Sequence, residues 1–153
     1  MPDGTSSGQG HIIFLSCNEN CCPISWTSNK IKRKVSSSLS AETLALHDAL
    51  DEGLYLQAIL TETLCDNNEQ KIKITAKTDN KSLVDNLIST KQVSEKRLRI
   101  NIAEIKRMQE QQEIEEIKWI QSKYQLADIL TKSGVDPQPL LETIKNGRFY
   151  HKD

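Results

Sequence analysis

Three carboxylates stand where folding alone explains an acid poorly. Glu42 falls in line with an apolar stripe, Asp79 closes an alternating run, and Asp128 sits early in a late helical segment. An unpaired ion is costly to bury, so an acid on a core stripe calls for a partner. In open α/β sheets, strand ends and helix starts converge on one crevice where ligands bind. Acids gathered there could hold Mg²⁺, which favours a few carboxylates plus water and phosphate oxygens. Two such ions would activate a water and stabilise the leaving oxygen in phosphodiester cleavage. Each acid also has a plainer reading. Asp79, followed by Asn80, could be a helix N-cap; Asp128 could complement a helix dipole; Glu42 could turn outward at a frayed helix start.

The elements that must position these acids follow from periodicity. Residues 1–10, rich in Gly, Ser and Pro, predict a loop. Two short aromatic and β-branched runs, His11–Cys17 and Cys21–Thr27, flank Asn18-Glu19-Asn20 and predict a β-hairpin with a three-residue turn. A basic, then Ser-rich connection leads to the strongest helix, Ser40–Leu64, with Leu46, Ala49, Leu50, Gly53, Leu56, Leu60 and Leu64 on one face. Glu42 lies one turn before Leu46 on that stripe. Lys71–Thr78 alternates as a half-buried strand, and Asp79-Asn80 opens a short helix to about Ser89. A helix over Glu95–Gln112 buries Leu98, Ile102 and Ile105. A strand over Ile114–Ile120, a helix over Tyr124–Lys132 and a peripheral helix over Pro137–Asn146 complete the chain. A hairpin followed by strand and helix alternation predicts α/β organisation (an α+β mixed sheet) with helices packed on it. The domain is expected over residues 11–132, with 133–153 as a C-terminal helix and tail.

Composition bounds the function. A chain of 153 residues fits one core. Twenty Lys+Arg against 21 Asp+Glu argue against a strongly cationic nucleic-acid clamp but leave room for a local patch. The longest apolar run is the four residues Ile12–Leu15, far short of the roughly 20 that a membrane span needs. No signal-peptide pattern is read, so the expected address is intracellular, cytoplasmic or nuclear, with no membrane partner. Cys17, Cys21, Cys22 and Cys65 suit free thiols, while Cys17-x₃-Cys21-Cys22 leaves a metal-thiolate hairpin as an alternative.

Four blocks then carry a resemblance. Ile24-Ser-Trp-Thr-Ser-Asn-Lys30, Ser40-Ala-Glu-Thr-Leu-Ala-Leu46, Thr78-Asp-Asn-Lys-Ser82 and Leu126-Ala-Asp-Ile-Leu-Thr-Lys132 occur in that order. Together they resemble the ribonuclease H domain of copia-type LTR retrotransposon Pol polyproteins, over about Gly8 to Lys132. The resemblance implies a ribonuclease H-like fold and an endonuclease that cuts the RNA strand of an RNA/DNA hybrid with two Mg²⁺ (or Mn²⁺) ions. It implies Glu42, Asp79 and Asp128 as catalytic metal ligands, and the rest of a Pol polyprotein, reverse transcriptase included, as partner. The family's first aspartate, on a central first strand, has no match here. Only Asp3 precedes the hairpin, so the first strand is expected to be missing. The hairpin and the Lys71–Thr78 strand would then face each other across a gap. The alternative is a non-catalytic remnant that binds nucleic acid or a protein partner.

Two basic clusters bear on nucleic acid. Lys30, Lys32, Arg33 and Lys34 precede the Glu42 helix and could grip phosphates, or form a solvated connection. Lys91, Lys96, Arg97 and Arg99 make a second patch. Trp26 and Trp119 are expected in the core or on a sheet face rather than as base-stacking platforms.

Overall fold

The computed structural model describes residues 8–31, 37–65 and 71–149. Strands β1 (Gly8–Cys17) and β2 (Asn20–Lys30) form an antiparallel pair. Helix α1 (Ser38–Leu64) follows, then strand β3 (Thr75–Thr78) and helices α2 (Lys81–Ile88) and α3 (Lys96–Glu110). Strand β4 (Glu116–Trp119) pairs with β3 in parallel, and helix α4 (Gln138–Asn146) lies near the end. The chain is thus mixed α/β. No helix among the described residues is long and apolar enough to cross a membrane.

The hairpin starts earlier and turns more tightly than its sequence suggests. Gly8–Gly10 belong to β1 instead of a loop, and Cys17 pairs with Asn20 across a two-residue turn, Asn18-Glu19. Asn18 takes a left-handed φ of 54°, which asparagine tolerates better than most residues. The register shifts between Ile13 and Phe14, opposite Pro23, which has no N–H to give the ladder.

The apolar core lies elsewhere. Leu46 and Leu50 of α1 meet Leu83 and Leu87 of α2, Leu98, Ile102, Ile105 and Met108 of α3, and Ile114. Ile74, Ala76 and Ile117 close it from the parallel pair. The predicted α1 stripe holds in its first half only. Leu56 and Leu60 are half-buried and Leu64 is exposed, while Thr61 is buried instead. The reason is local: residues 71–74 run beside these last turns, with the Ile72 N–H donating to Thr61 Oγ1 at 3.4 Å and Gln57 Nε2 to the Ile72 carbonyl at 2.5 Å. Those same residues lie outside the ladder, so the predicted Lys71–Thr78 strand shortens to Thr75–Thr78.

The two strand pairs form separate sheets. Ile74 and Thr78 carbonyls accept from Glu115 and Ile120 on the β4 side. By the alternation of a strand, the Lys77 carbonyl therefore points to the opposite edge. That carbonyl accepts from Gln125 Nε2 at 3.3 Å. Residues 122–131 thereby lean on β3 at one end. At the other, the Leu130 carbonyl accepts from Ser28 Oγ at 2.5 Å, and Gly10 admits Thr131 so closely that an added Cβ would meet its Cγ2 at 2.7 Å.

This bridging segment was expected to be one helix over Tyr124–Lys132. It is two 3₁₀ turns, Ser122–Tyr124 and Leu126–Leu130. So short a piece has little helical stability of its own, and contacts at both ends set its path.

Candidate functional site

The three acids named by the sequence reach one place from three elements. Glu42 comes from the second turn of α1, whose start is fixed by the Ser37 hydroxyl accepting from the Ser40 N–H at 3.1 Å. Asp79 follows β3 directly. Asp128 lies in the second 3₁₀ turn, where the segment crosses from β3 to the hairpin.

Two of them share an amine. Lys132 Nζ stands 3.1 Å from Asp128 Oδ2 and 3.9 Å from Asp79 Oδ2. The two aspartate side chains are 14 % and 10 % exposed, whereas Lys132 is 51 % exposed and reaches them from the solvent side. Burial pushes the Glu42 carboxyl above its ordinary range, the negative charges of Asp79 and Asp128 add to that, and Lys132 opposes them. Burial also raises Asp128, against the hydrogen bond from Lys132 and together with the charge of Asp79. For Lys132, burial works to lower the pKa, but Asp128, Asp79 and Glu42 outweigh it and hold the amine above its usual value. These mutual effects place the four groups in one electrostatic unit.

The plainer readings can now be placed. Asn80, not Asp79, caps α2: its side chain accepts from the Leu83 N–H at 3.0 Å. Asp79 is left for the cluster. Asp128 stands in the first turn of a five-residue 3₁₀ piece and is paired with Lys132 one turn on. Glu42 is half-buried and does not turn out into solvent.

The sequence missed three contributors. Lys132 could have been noticed from its i+4 spacing to Asp128. Gln125 and Trp119 gave no such signal. The Trp119 indole donates to the Asp79 carbonyl at 3.1 Å and is 47 % exposed, so it sits on a sheet face at the rim of the acids. Trp26 is also on a sheet face and more exposed still.

Of the basic candidates, Lys30 ends β2 and is exposed, while Lys32, Arg33 and Lys34 lie outside the described residues, as does Asp3. The second patch is better placed. Ser40 Oγ donates to Glu95 Oε2 at 2.8 Å, which ties the start of α3 to the start of α1. Exposed Lys96, Arg97 and Arg99 therefore lie at the Glu42 end of α1. Cys17 and Cys22 are exposed at the hairpin tip, and Cys21 is buried.

An all-carboxylate donor set suits a hard, oxygen-seeking divalent cation and not a thiophilic one. Among the described residues no group of three or more His, Cys, Asp or Glu is close-set enough to hold a metal ion as it stands. No protein-family model, curated protein or solved structure matches the chain.

Proposed function

We propose that this chain is a ribonuclease H-like domain of retrotransposon Pol type, a hydrolase acting inside the cell on the RNA strand of RNA/DNA hybrids. The observation that carries the reading is the meeting of Asp79 and Asp128, from separate elements, on the Lys132 amine, with the half-buried Glu42 carboxyl near enough to feel all three charges. Those are the acids that the four sequence blocks assign to the metal site. With all three ionised, three negative charges against the single Lys132 ammonium leave two negative charges over. A divalent cation matches that remainder, and the carboxylate oxygens match its chemistry.

In this reading Glu42, Asp79 and Asp128 hold Mg²⁺ or Mn²⁺. When bound there, such ions would supply an activated water and charge stabilisation at the leaving oxygen. The protein supplies the rest. Asp79 is aimed by the end of β3 and by the Trp119 indole on its carbonyl. Asp128 is aimed by a segment tied to both sheets. Lys96, Arg97 and Arg99 are placed to contact phosphates along the strand that enters, and the exposed face of Trp119 offers a surface for a base or sugar. Reverse transcriptase and the remainder of a Pol polyprotein are the partners such a domain would have.

A second reading follows from the position of Lys132. An acid cluster already occupied by a lysine, beside a basic patch, describes equally a domain that binds nucleic acid without cutting it.

Cleavage of an end-labelled RNA/DNA hybrid in Mg²⁺, by the wild-type chain and by Asp79→Asn, separates the two. Hydrolysis is expected to fall at least about a hundredfold in the variant, the loss typical of one essential electrostatic group, with the thermal melt unchanged or raised. No cutting by a folded wild-type chain, with hybrid binding that weakens as salt rises, would leave the non-catalytic reading.

A further inference from the structure

The amine at the centre of the acids has a role that the proposed hydrolysis does not assign. Lys132 is anchored one turn from Asp128, its N–H donating to the Asp128 carbonyl at 2.9 Å, so its side chain can leave the acids without any change of fold. It approaches along a flexible four-carbon stem and is half exposed, while the aspartates beneath it are nearly covered. A partly exposed ammonium–carboxylate contact is individually weak, but carboxylates buried together without a counter-ion repel one another strongly. The arrangement thus combines a cluster that needs positive charge with a positive charge that is easily withdrawn.

We infer that Lys132 is a displaceable stand-in cation: it holds Asp79 and Asp128 together in the metal-free chain and gives way when a divalent cation takes its place. The inference rests on the proposed metal site and deepens it, making Lys132 the residue that sets how tightly the site takes an ion. Once displaced, the amine stays at the rim, four residues from Asp128, within reach of a phosphate oxygen.

The test is a calorimetric Mn²⁺ titration of wild type, Lys132→Met and Asp79→Asn, with thermal melts in the presence and absence of Mg²⁺. Lys132→Met keeps the stem and removes the charge. It is expected to bind Mn²⁺ on the order of tenfold tighter, about 1.4 kcal/mol. It should also melt below wild type without metal and gain more from Mg²⁺ than wild type does. A second readout needs no variant: acylation of Lys132 in the wild-type chain, followed by mass spectrometry against Lys123 and Lys145, should rise when Mg²⁺ is added. If wild type binds Mn²⁺ and Asp79→Asn does not, yet Lys132→Met binds like wild type and the labelling is unmoved, the inference falls and the metal site stands. If neither wild type nor Lys132→Met takes up metal, both fall together. Should Lys132→Met not fold, the labelling decides alone: a Mg²⁺-dependent rise supports displacement, and no rise overturns it.

Discussion

The helical body and the hairpin are held by different forces. Around α1, α2, α3 and the parallel pair, nine buried apolar side chains form one cluster. The hairpin contributes none of them. It meets α1 through a polar seam in which Gln9 Nε2 donates to Asp48 at 2.8 Å, His11 lies 2.5 Å from Glu52, and the Ser25 hydroxyl also donates to Glu52. A buried leucine is worth about 2–5 kcal/mol on truncation, whereas a hydrogen bond nets about 0.5–1.5 kcal/mol. The whole seam therefore weighs about as much as one core residue. Burial gives the body its cohesion; the seam gives the hairpin its register. The acids span this divide. Glu42 and Asp79 belong to the body, while Asp128 and Lys132 ride on the segment that leans against the hairpin. The geometry of the proposed site thus depends on the weaker region.

The largest effects should come from the body. Leu50 is 2 % exposed in the centre of the cluster, and Leu50→Ala should cost about 2–5 kcal/mol in urea unfolding. Gly10→Ala addresses the other region. The new Cβ would lie 2.7 Å from Thr131 Cγ2, 3.0 Å from the Thr27 carbonyl oxygen and 3.3 Å from Leu130 Cβ. Overpacking of this kind costs about 1–3 kcal/mol. Hydrogen exchange should show the loss confined to β1, β2 and residues 125–131, with amides of α1–α3 keeping their protection. Gly8→Ala, whose Cβ would meet nothing nearer than 3.5 Å, is the control and should be neutral by comparison. Equal loosening of body and hairpin by Gly10→Ala would mean that the two regions unfold as one, and the contrast between them would not hold.

How far the sequence exposed this organisation follows the same divide. Helix α3 was legible because Leu98, Ile102 and Ile105 keep the helical period and all three are buried. Its apolar residues all lie within one short segment, so the pattern speaks for itself. The 3₁₀ segment was misread because its path is set by Ser28, Gly10 and Lys77, residues far off in sequence that leave no trace in its own periodicity. The acids were legible by type and position, since a carboxylate at a strand end or on a core stripe is visible as an anomaly. Their convergence on Lys132 was not, because a lysine after an Asp-containing turn reads as one more surface charge. The hairpin and the β3–β4 pair are two separate sheets, linked through residues 125–131 by the Gln125 side chain on the Lys77 carbonyl and the Ser28 hydroxyl on the Leu130 carbonyl.

The finest contrast is one of sign. The Ser25 hydroxyl chiefly holds the Glu52 carboxyl below its ordinary range; burial pushes the other way, and His11 adds to the lowering. Its stabilisation is fully present above the unfolded value of about 4.3 and is lost as pH falls through the lower folded value. Glu42 runs the opposite way. Burial first, then Asp79 and Asp128 against Lys132, raise its pKa, so the folded chain binds the proton more tightly than the unfolded one. Stability therefore falls as pH rises from about 4.3 through the raised value, and the penalty persists at neutral pH. Glu52→Gln should destabilise the chain at pH 7 by on the order of 1 kcal/mol, seen as a lower melting temperature, with the deficit shrinking in acid. Glu42→Gln should stabilise the chain at pH 7 by about 1 kcal/mol or less, seen as a higher melting temperature, with the gain vanishing in acid. Thermal melts of the two variants between pH 3 and 8 should then diverge from wild type in opposite directions as pH rises. Curves that diverge in the same direction would mean that the acid cluster is a stabilising ion network like the seam, and that the strain assigned to the proposed site does not exist.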